Sequence, residues 1–147
     1  MANVNFKKTD PRGKIPAYVG SSRSSGMDVY SLEAFCLKPG ESKRVRTGVA
    51  MQLPEGYEAQ VRPRSGLADK YKVTVLNSPG TIDEDFRSEV NIILINHGSF
   101  PFFGQAEDRI AQLVVKKIEY HTISEVSEFV DNFENDRGER GFGSSGR

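Results

Sequence analysis

The chain has 147 residues, 37% of them hydrophobic and 27% charged, which is the balance of one soluble globular domain with a sizeable core. Twenty Lys and Arg offset twenty Asp and Glu to a formal net charge of zero, which speaks against a nucleic-acid polymer or an anionic membrane as partner but leaves room for a small anionic ligand held by a few arginines. A single cysteine, Cys36, excludes an internal disulfide and any zinc site built from cysteines.

The N-terminal stretch MANVNFKKTDPRGKIP lacks the apolar run of a signal peptide, and no later segment reaches membrane-spanning length, so an intracellular location is expected. In SSGMDVYS, Asp28 is a lone acid just after Gly26, leading into a strand. Cys36, in AFCLKPG, reads as a small buried hydrophobe. Short strand-like runs follow: RVRTGVAMQL with Val45, Val49 and Met51 on one face, then YEAQVRP with Tyr57, Ala59 and Val61. The spacing of SGLADKY predicts one short helical turn capped by Ser65. YKVTVLN is rich in β-branched residues, VNIILIN reads as a fully buried strand, and RIAQLVVKKIEY as a longer one. Turn signals at Pro39-Gly40, Pro54-Glu55-Gly56, Pro79-Gly80 and His97-Gly98 separate them. Many short strands with little helical period predict an all-β barrel or sandwich.

The tail differs from the body. NDRGERGFGSSGR, from Asn135 to Arg147, is polar and glycine-rich with one aromatic, Phe142, so it cannot pack a core and is expected to be a mobile arm. Residues 1–131 therefore read as a β-barrel domain and 132–147 as a flexible glycine-rich C-terminal arm. Gly141, Gly143 and Gly146 fit the dinucleotide fingerprint G-x-G-x-x-G, but that fingerprint needs a preceding strand and a following helix, and only Arg147 follows Gly146. Exposed amides beside Arg137 and Arg140 suit a phosphate clamp instead, and an isolated Phe142 suits stacking on a planar base.

Three further stretches carry chemistry. In RPRSGLADK, Arg64 offers a bidentate fork for phosphate oxygens, Ser65 adds a hydroxyl, and Gly66 permits close backbone approach; a capped surface turn is the plainer alternative. In NSPGTIDEDFRSE, Pro79-Gly80 makes a turn, and Thr81 to Arg87 then reads as a hairpin with Asp83 and Asp85 on one face and Glu84 on the other. These acids are either solvated surface, a carboxylate that orients water as general base, or a metal pair, the last disfavoured because no His or Cys accompanies them. In EDRIAQLVV, the amide of Gln112 sits among apolar strand residues and needs a partner. His97 and His121 have no triad or metal-ligand spacing and read as surface residues.

Taken together, SGMDVYS, RPRSGLA, NSPGTIDEDFRSE, DRIAQL and RGERGFGSSG resemble, in order and spacing, the five motifs of the trimeric deoxyuridine triphosphatase (dUTPase) family. The resemblance spans Gly26 to Gly146. It implies a jelly-roll-like β-barrel, a homotrimer with active sites shared between subunits, and hydrolysis of dUTP to dUMP and pyrophosphate with Mg²⁺. Such an activity would limit uracil incorporation into DNA and supply dUMP for thymidylate synthesis. By position, Asp83 would deprotonate the attacking water, and Asp28 would reach Mg²⁺ through a coordinated water. Arg64, Ser65 and Gly66 would hold phosphates, and Gln112 would bond near the α-phosphate. Asn77 with the backbone of Gly80, Thr81 and Ile82 would read the uracil edge, and Phe86 would pack under the deoxyribose. From the arm, Phe142 would stack on uracil while Arg137, Gly143 and Ser144 hold the γ-phosphate. Four residues depart from those common in the family: Phe86 for tyrosine, Ser88 and Glu107 for glycine, and Arg140 for a small residue. Two rival functions are a dCTP deaminase, which shares the fold but needs a water-activating glutamate, and a dUTP-sensing regulatory protein.

Overall fold

The computed structural model describes residues 2–147, in which ten strands and one helix follow one another. They are β1 (Asn5–Lys8), β2 (Met27–Tyr30), β3 (Phe35–Leu37), β4 (Ser42–Gln52), β5 (Tyr57–Arg62), α1 (Ser65–Tyr71), β6 (Val73–Val75), β7 (Gly80–Ile82), β8 (Glu89–Asn96), β9 (Phe102–Gly104) and β10 (Arg109–Lys117). One four-stranded sheet has the order β1-β4-β8-β6, a second β2-β10-β5-β7, and β3 pairs with β9 alone. Every pairing is antiparallel. The result is the all-β architecture that the short strands and frequent turns predict, jelly-roll-like as the family resemblance implies.

Alternation accounts for the core. In β5, Ala59 and Val61 point inward and Glu58, Gln60 and Arg62 stay half-exposed. β8 corrects its expectation, because Val90, Ile92, Leu94 and Asn96 are buried while Asn91, Ile93 and Ile95 are only half-buried. It is an alternating strand with one core face, as antiparallel sheets require. The inward residues of both sheets meet in one cluster that includes Val29, Leu37, Ala59, Ile92, Leu94 and Leu113. Buried Asn96 belongs to this interior because its carboxamide is used at both ends. It donates to the carbonyls of Leu37 (3.0 Å) and Phe100 (2.8 Å) and accepts from the Gly98 amide (2.8 Å), which leaves no buried atom of it unpaired.

β4 is bent where its register against β8 shifts, between Arg46 and Ala50. Gly48 there takes φ +71°, a left-handed value that glycine reaches without strain. The Gly48 carbonyl accepts from the amides of Thr9 and Asp10. An added Cβ at Gly13 would stand 2.3 Å from that oxygen, so the crossing tolerates no side chain. Across the bend, Arg46 grips Glu89 with Nε at 3.0 Å and Nη2 at 2.9 Å, and the Thr9 hydroxyl adds a 2.6 Å bond. Beyond Ile118 the chain makes no further strand and is exposed to its end. Ile123, Phe129 and Val130 there are each more than 90% exposed. No helix among the described residues is long and apolar enough to cross a membrane.

The Arg46 guanidinium holds the Glu89 carboxyl below its ordinary value of 4.5, against the opposing cost of partial burial. The folded protein thus binds this proton less tightly than the unfolded chain. The stabilisation is complete above about 4.5 and is lost as the pH falls through the lower folded value. Glu89→Gln is expected to lower unfolding free energy by about 1 kcal/mol near neutrality. Denaturant melts at a series of pH values should show that difference vanish at the acid end.

Candidate active site

Register brings the first cluster together. β10 lies between β2 and β5, so Gln112 faces Asp28 on one side and Arg62 on the other. Gly26 keeps the approach open, since a Cβ there would stand 3.0 Å from Cβ of Gln112. Asp28 is buried at 4% exposure, and a carboxylate so placed requires ionic partners. Arg64 Nε stands 3.3 Å from one oxygen and Arg109 Nη1 3.4 Å from the other. The Gln112 amide reaches the first oxygen at 3.5 Å, and Arg64 Nη1 donates to the Arg109 carbonyl at 3.0 Å. Arg109 is absent from the sequence expectation, although its position next to the apolar run gives the only available hint.

Arg64 also begins α1. It occupies the N-cap position in extended conformation with no side-chain cap, and Ser65 is the first helical residue, which corrects the expected capping role of Ser65. Ser65 is thereby left exposed, as is Gly66, and a Cβ on Gly66 would meet nothing within 4 Å. Nothing inside the protomer therefore demands glycine at that position. Arg64, Ser65, Gly66, Gln112 and Asp28 stand at one end of the β2-β10-β5-β7 sheet, a cationic rim over one buried anion.

A second feature is a cavity of about 130 Å³ lined by Val61, Asn77, Gly80, Thr81, Ile82, Phe86, Val90 and Asn91. It contains all five residues expected to face a pyrimidine and sugar, and adds Val61, Val90 and Asn91. Asn91 is hidden by the reading of VNIILIN as uniformly buried, although a polar side chain in an apolar strand signals a wet face. The expected hairpin from Thr81 to Arg87 is corrected. β7 pairs with β5, whereas β8 pairs with β4 and β6, so residues 83–88 cross from one sheet to the other. β7 is consequently an edge strand with one backbone row unpaired by its sheet. Gly80 sits tightly, with a built Cβ 3.1 Å from Val61 and 3.2 Å from the Asn77 amide nitrogen.

Asp83 is exposed directly after β7. The Asp83 carbonyl accepts from the Phe86 amide at 3.1 Å, so Glu84 and Asp85 form a turn and the expected strand alternation of the three acids does not occur. Arg87 Nη1 bonds to the carbonyls of Glu84 (2.6 Å) and Phe86 (3.0 Å). The arm residues Arg137, Phe142, Gly143 and Ser144 lie in the exposed segment, and none lines the cavity. Among the departures, Glu107 takes φ +67°, a left-handed position where glycine would be free of strain. Among the described residues no cluster of three or more His, Cys, Asp or Glu could cage a metal ion. That donor set fits Mg²⁺ only in its usual phosphate-bound, largely hydrated form.

The sequence model of the dUTPase family matches residues 13–146. A deoxyuridine 5'-triphosphate nucleotidohydrolase of Clostridioides difficile is 49% identical over 146 residues, covering 99% of each chain. One from Nautilia profundicola is 45% identical over 144 residues, covering 98% of this chain and 99% of the relative. The dUTPase of Staphylococcus bacteriophage 80alpha with dUpNHpp superposes with a TM-score of 0.88 at 26% identity, covering 99% of both chains.

Removing the central anion tests the first cluster. Asp28→Ala leaves two guanidinium groups facing each other and is expected to cost about 2 kcal/mol of stability, seen as a lower thermal midpoint. An unchanged midpoint would mean that the ion pairs contribute nothing to folding.

Proposed function

The chain belongs to the dUTPase family, and from that premise we propose how its residues divide the work of converting dUTP to dUMP and pyrophosphate. The observation that carries the proposal is the edge strand β7 beside a cavity of base-like dimensions, about 130 Å³. An unpaired backbone row can bond a planar base edge as it would bond another strand, and the Asn77 carboxamide adds a donor and an acceptor. Uracil satisfies that row. Cytosine presents the reversed edge and leaves buried groups unpaired, a penalty larger than that of a missing contact. The tight seat of Gly80 against Val61 leaves little room for the thymine methyl. Phe86, one of the cavity's walls, packs under deoxyribose and crowds a 2′-hydroxyl.

Asp83 follows Ile82 directly, so the strand that reads the base also delivers the carboxylate that takes the proton of the attacking water. Arg64, Ser65 and Gly66 hold the phosphates, with Gln112 near the α-phosphate. When triphosphate arrives, Arg64 can trade part of its contact with Asp28 for phosphate oxygens, and Arg109 keeps the buried carboxylate paired. The dUTPase family generally uses a divalent metal. Mg²⁺ would be held by substrate phosphates and by water bonded to Asp28, and would supply neutralisation of charge on the phosphate oxygens.

We further propose a homotrimer with shared sites, intracellular, in which the arm of one protomer covers a site built by others. The cavity, the Arg64 cluster and the arm share no lining residue within one chain, and the apolar side chains of residues 123–133 lack cover. Both features support assembly. In the closed site, Phe142 stacks on the base and Arg137, Gly143 and Ser144 hold the γ-phosphate.

Pyrophosphate release is to be measured with dUTP, dCTP, dTTP and UTP, with Mg²⁺ and with chelator, for the natural chain and for Asp83→Asn. Release from dUTP alone, lost with chelator and reduced roughly a thousandfold or more in Asp83→Asn, is expected. Ammonia from dCTP would indicate a deaminase. Binding of dUTP without release would indicate a sensor. Near-normal turnover in Asp83→Asn would remove it as the base.

A further inference from the structure

We propose that Arg109 is a positioning residue for Arg64: it keeps hold of the buried Asp28 carboxylate, and so frees the Arg64 guanidinium to turn towards a triphosphate. This rests on the assignment of Arg64 to the phosphates.

A β-bulge puts Arg109 where it can act. Along β10 and β2, Gln112 stands opposite Asp28 and Ala111 opposite Val29, but the next pair is Arg109 with Tyr30. Ile110 is therefore an extra residue with no partner on β2. Uninterrupted alternation would give Arg109 the same face as Ala111 and Leu113, and both of those belong to the core cluster. The bulge instead sends the consecutive residues Ile110 and Ala111 into that cluster, at 1% and 0% exposure. Arg109 is thereby returned to the face of Gln112 and stays exposed. Re-aiming a side chain in this way is a recurrent use of a bulge.

Arg109 then meets the cluster at two points. Its Nη1 stands 3.4 Å from Oδ2 of Asp28, and its carbonyl accepts from Nη1 of Arg64 at 3.0 Å. Arg64 takes the other carboxylate oxygen through Nε, at 3.3 Å. A guanidinium has five N–H donors, so two contacts leave the Nη2 edge of Arg64 for external oxygens. Were Arg64 the only cation on Asp28, any move towards phosphate would strand a buried anion, which is strongly unfavourable. With Arg109 in place the carboxylate stays paired while Nε of Arg64 lets go. Arg109 thus acts on the phosphates through Arg64, without touching them.

The test is a double-mutant cycle in the full chain with Mg²⁺, titrating the triphosphate analogue dUpNHpp into Arg109→Gln, Arg109→Lys, Arg64→Ala and the Arg109→Gln/Arg64→Ala pair. Arg109→Gln removes the charge but keeps the backbone carbonyl, and is expected to weaken dUpNHpp about ten- to thirtyfold. The inhibition constant of deoxyuridine, which carries no phosphate, should change by less than about threefold, and Arg109→Lys should recover most of the dUpNHpp loss. In the Arg64→Ala background, Arg109→Gln should cost less than about threefold. An equal factor in both backgrounds, an equal loss for deoxyuridine, or wild-type dUpNHpp binding in Arg109→Gln would overturn the proposal. If Arg109→Gln does not fold, the cycle is run on Asp28→Asn, which needs no counter-ion. Adding Arg109→Gln there should change dUpNHpp binding by less than about threefold, and a tenfold or larger loss, roughly, would show Arg109 meeting phosphate itself and overturn the role. Arg64→Ala alone separates the two ideas. Normal dUpNHpp binding there refutes Arg64 as a phosphate ligand, whereas weak binding there beside normal binding in Arg109→Gln refutes only the part given to Arg109.

Discussion

A buried carboxylate between two guanidinium groups organises one half of the site. Asp28 is inside the fold because β2 runs along β10, and an ion so placed must be paired. Arg64 and Arg109 supply the pairing from two different elements, and Gln112 completes it from the middle of the sheet. The geometry stores Arg64 in a charged, partly exposed position at the mouth of the protein. An arginine held by one internal anion is oriented before any external anion arrives, so less side-chain freedom is lost on binding. Net neutrality of the chain is compatible with this, since attraction of a triphosphate needs only local positive charge.

The other half depends on an unfinished sheet. β7 has β5 on one side and no strand on the other, and the chain leaves it to cross between sheets. An open edge is a hazard for a protein at large, but here it is three residues long and lies beside a small cavity. In the proposed site its unpaired groups serve recognition, and its next residue is Asp83. On that proposal, base reading and water activation are both set by one short backbone segment. The apolar residues exposed after Ile118 have no cover within the protomer, which supports the proposed assembly.

Much of this is legible in the residues alone. Asp28 and Gln112 stand out as polar residues at the entrance to or within apolar strands, and Asn77, Gly80, Thr81, Ile82 and Phe86 do share one cavity. Pairing between distant strands is not legible. Residues 81–87 resemble a hairpin because β7 and β8 are neighbours in sequence, yet they join different sheets through contacts that local pattern does not encode. β8 reads as wholly buried because an unbroken run of Ile and Leu masks alternation that only the flanking sheet reveals. Ser65 suits a cap by residue type, while the cap position falls one residue earlier, on Arg64. The placement of Arg109 depends on side-chain direction, which composition cannot supply.

In the proposed assembly, no single protomer owns a complete site. Shared ownership is tested most directly by mixing two inactive variants, Asp83→Asn and Arg64→Ala, unfolding and refolding them together, and assaying dUTP hydrolysis. Activity well above the sum of the separate variants is expected, because some mixed assemblies regain an intact Asp83 and an intact Arg64 at one site. Activity no higher than that sum would place both residues of each working site in the same chain and refute the shared site.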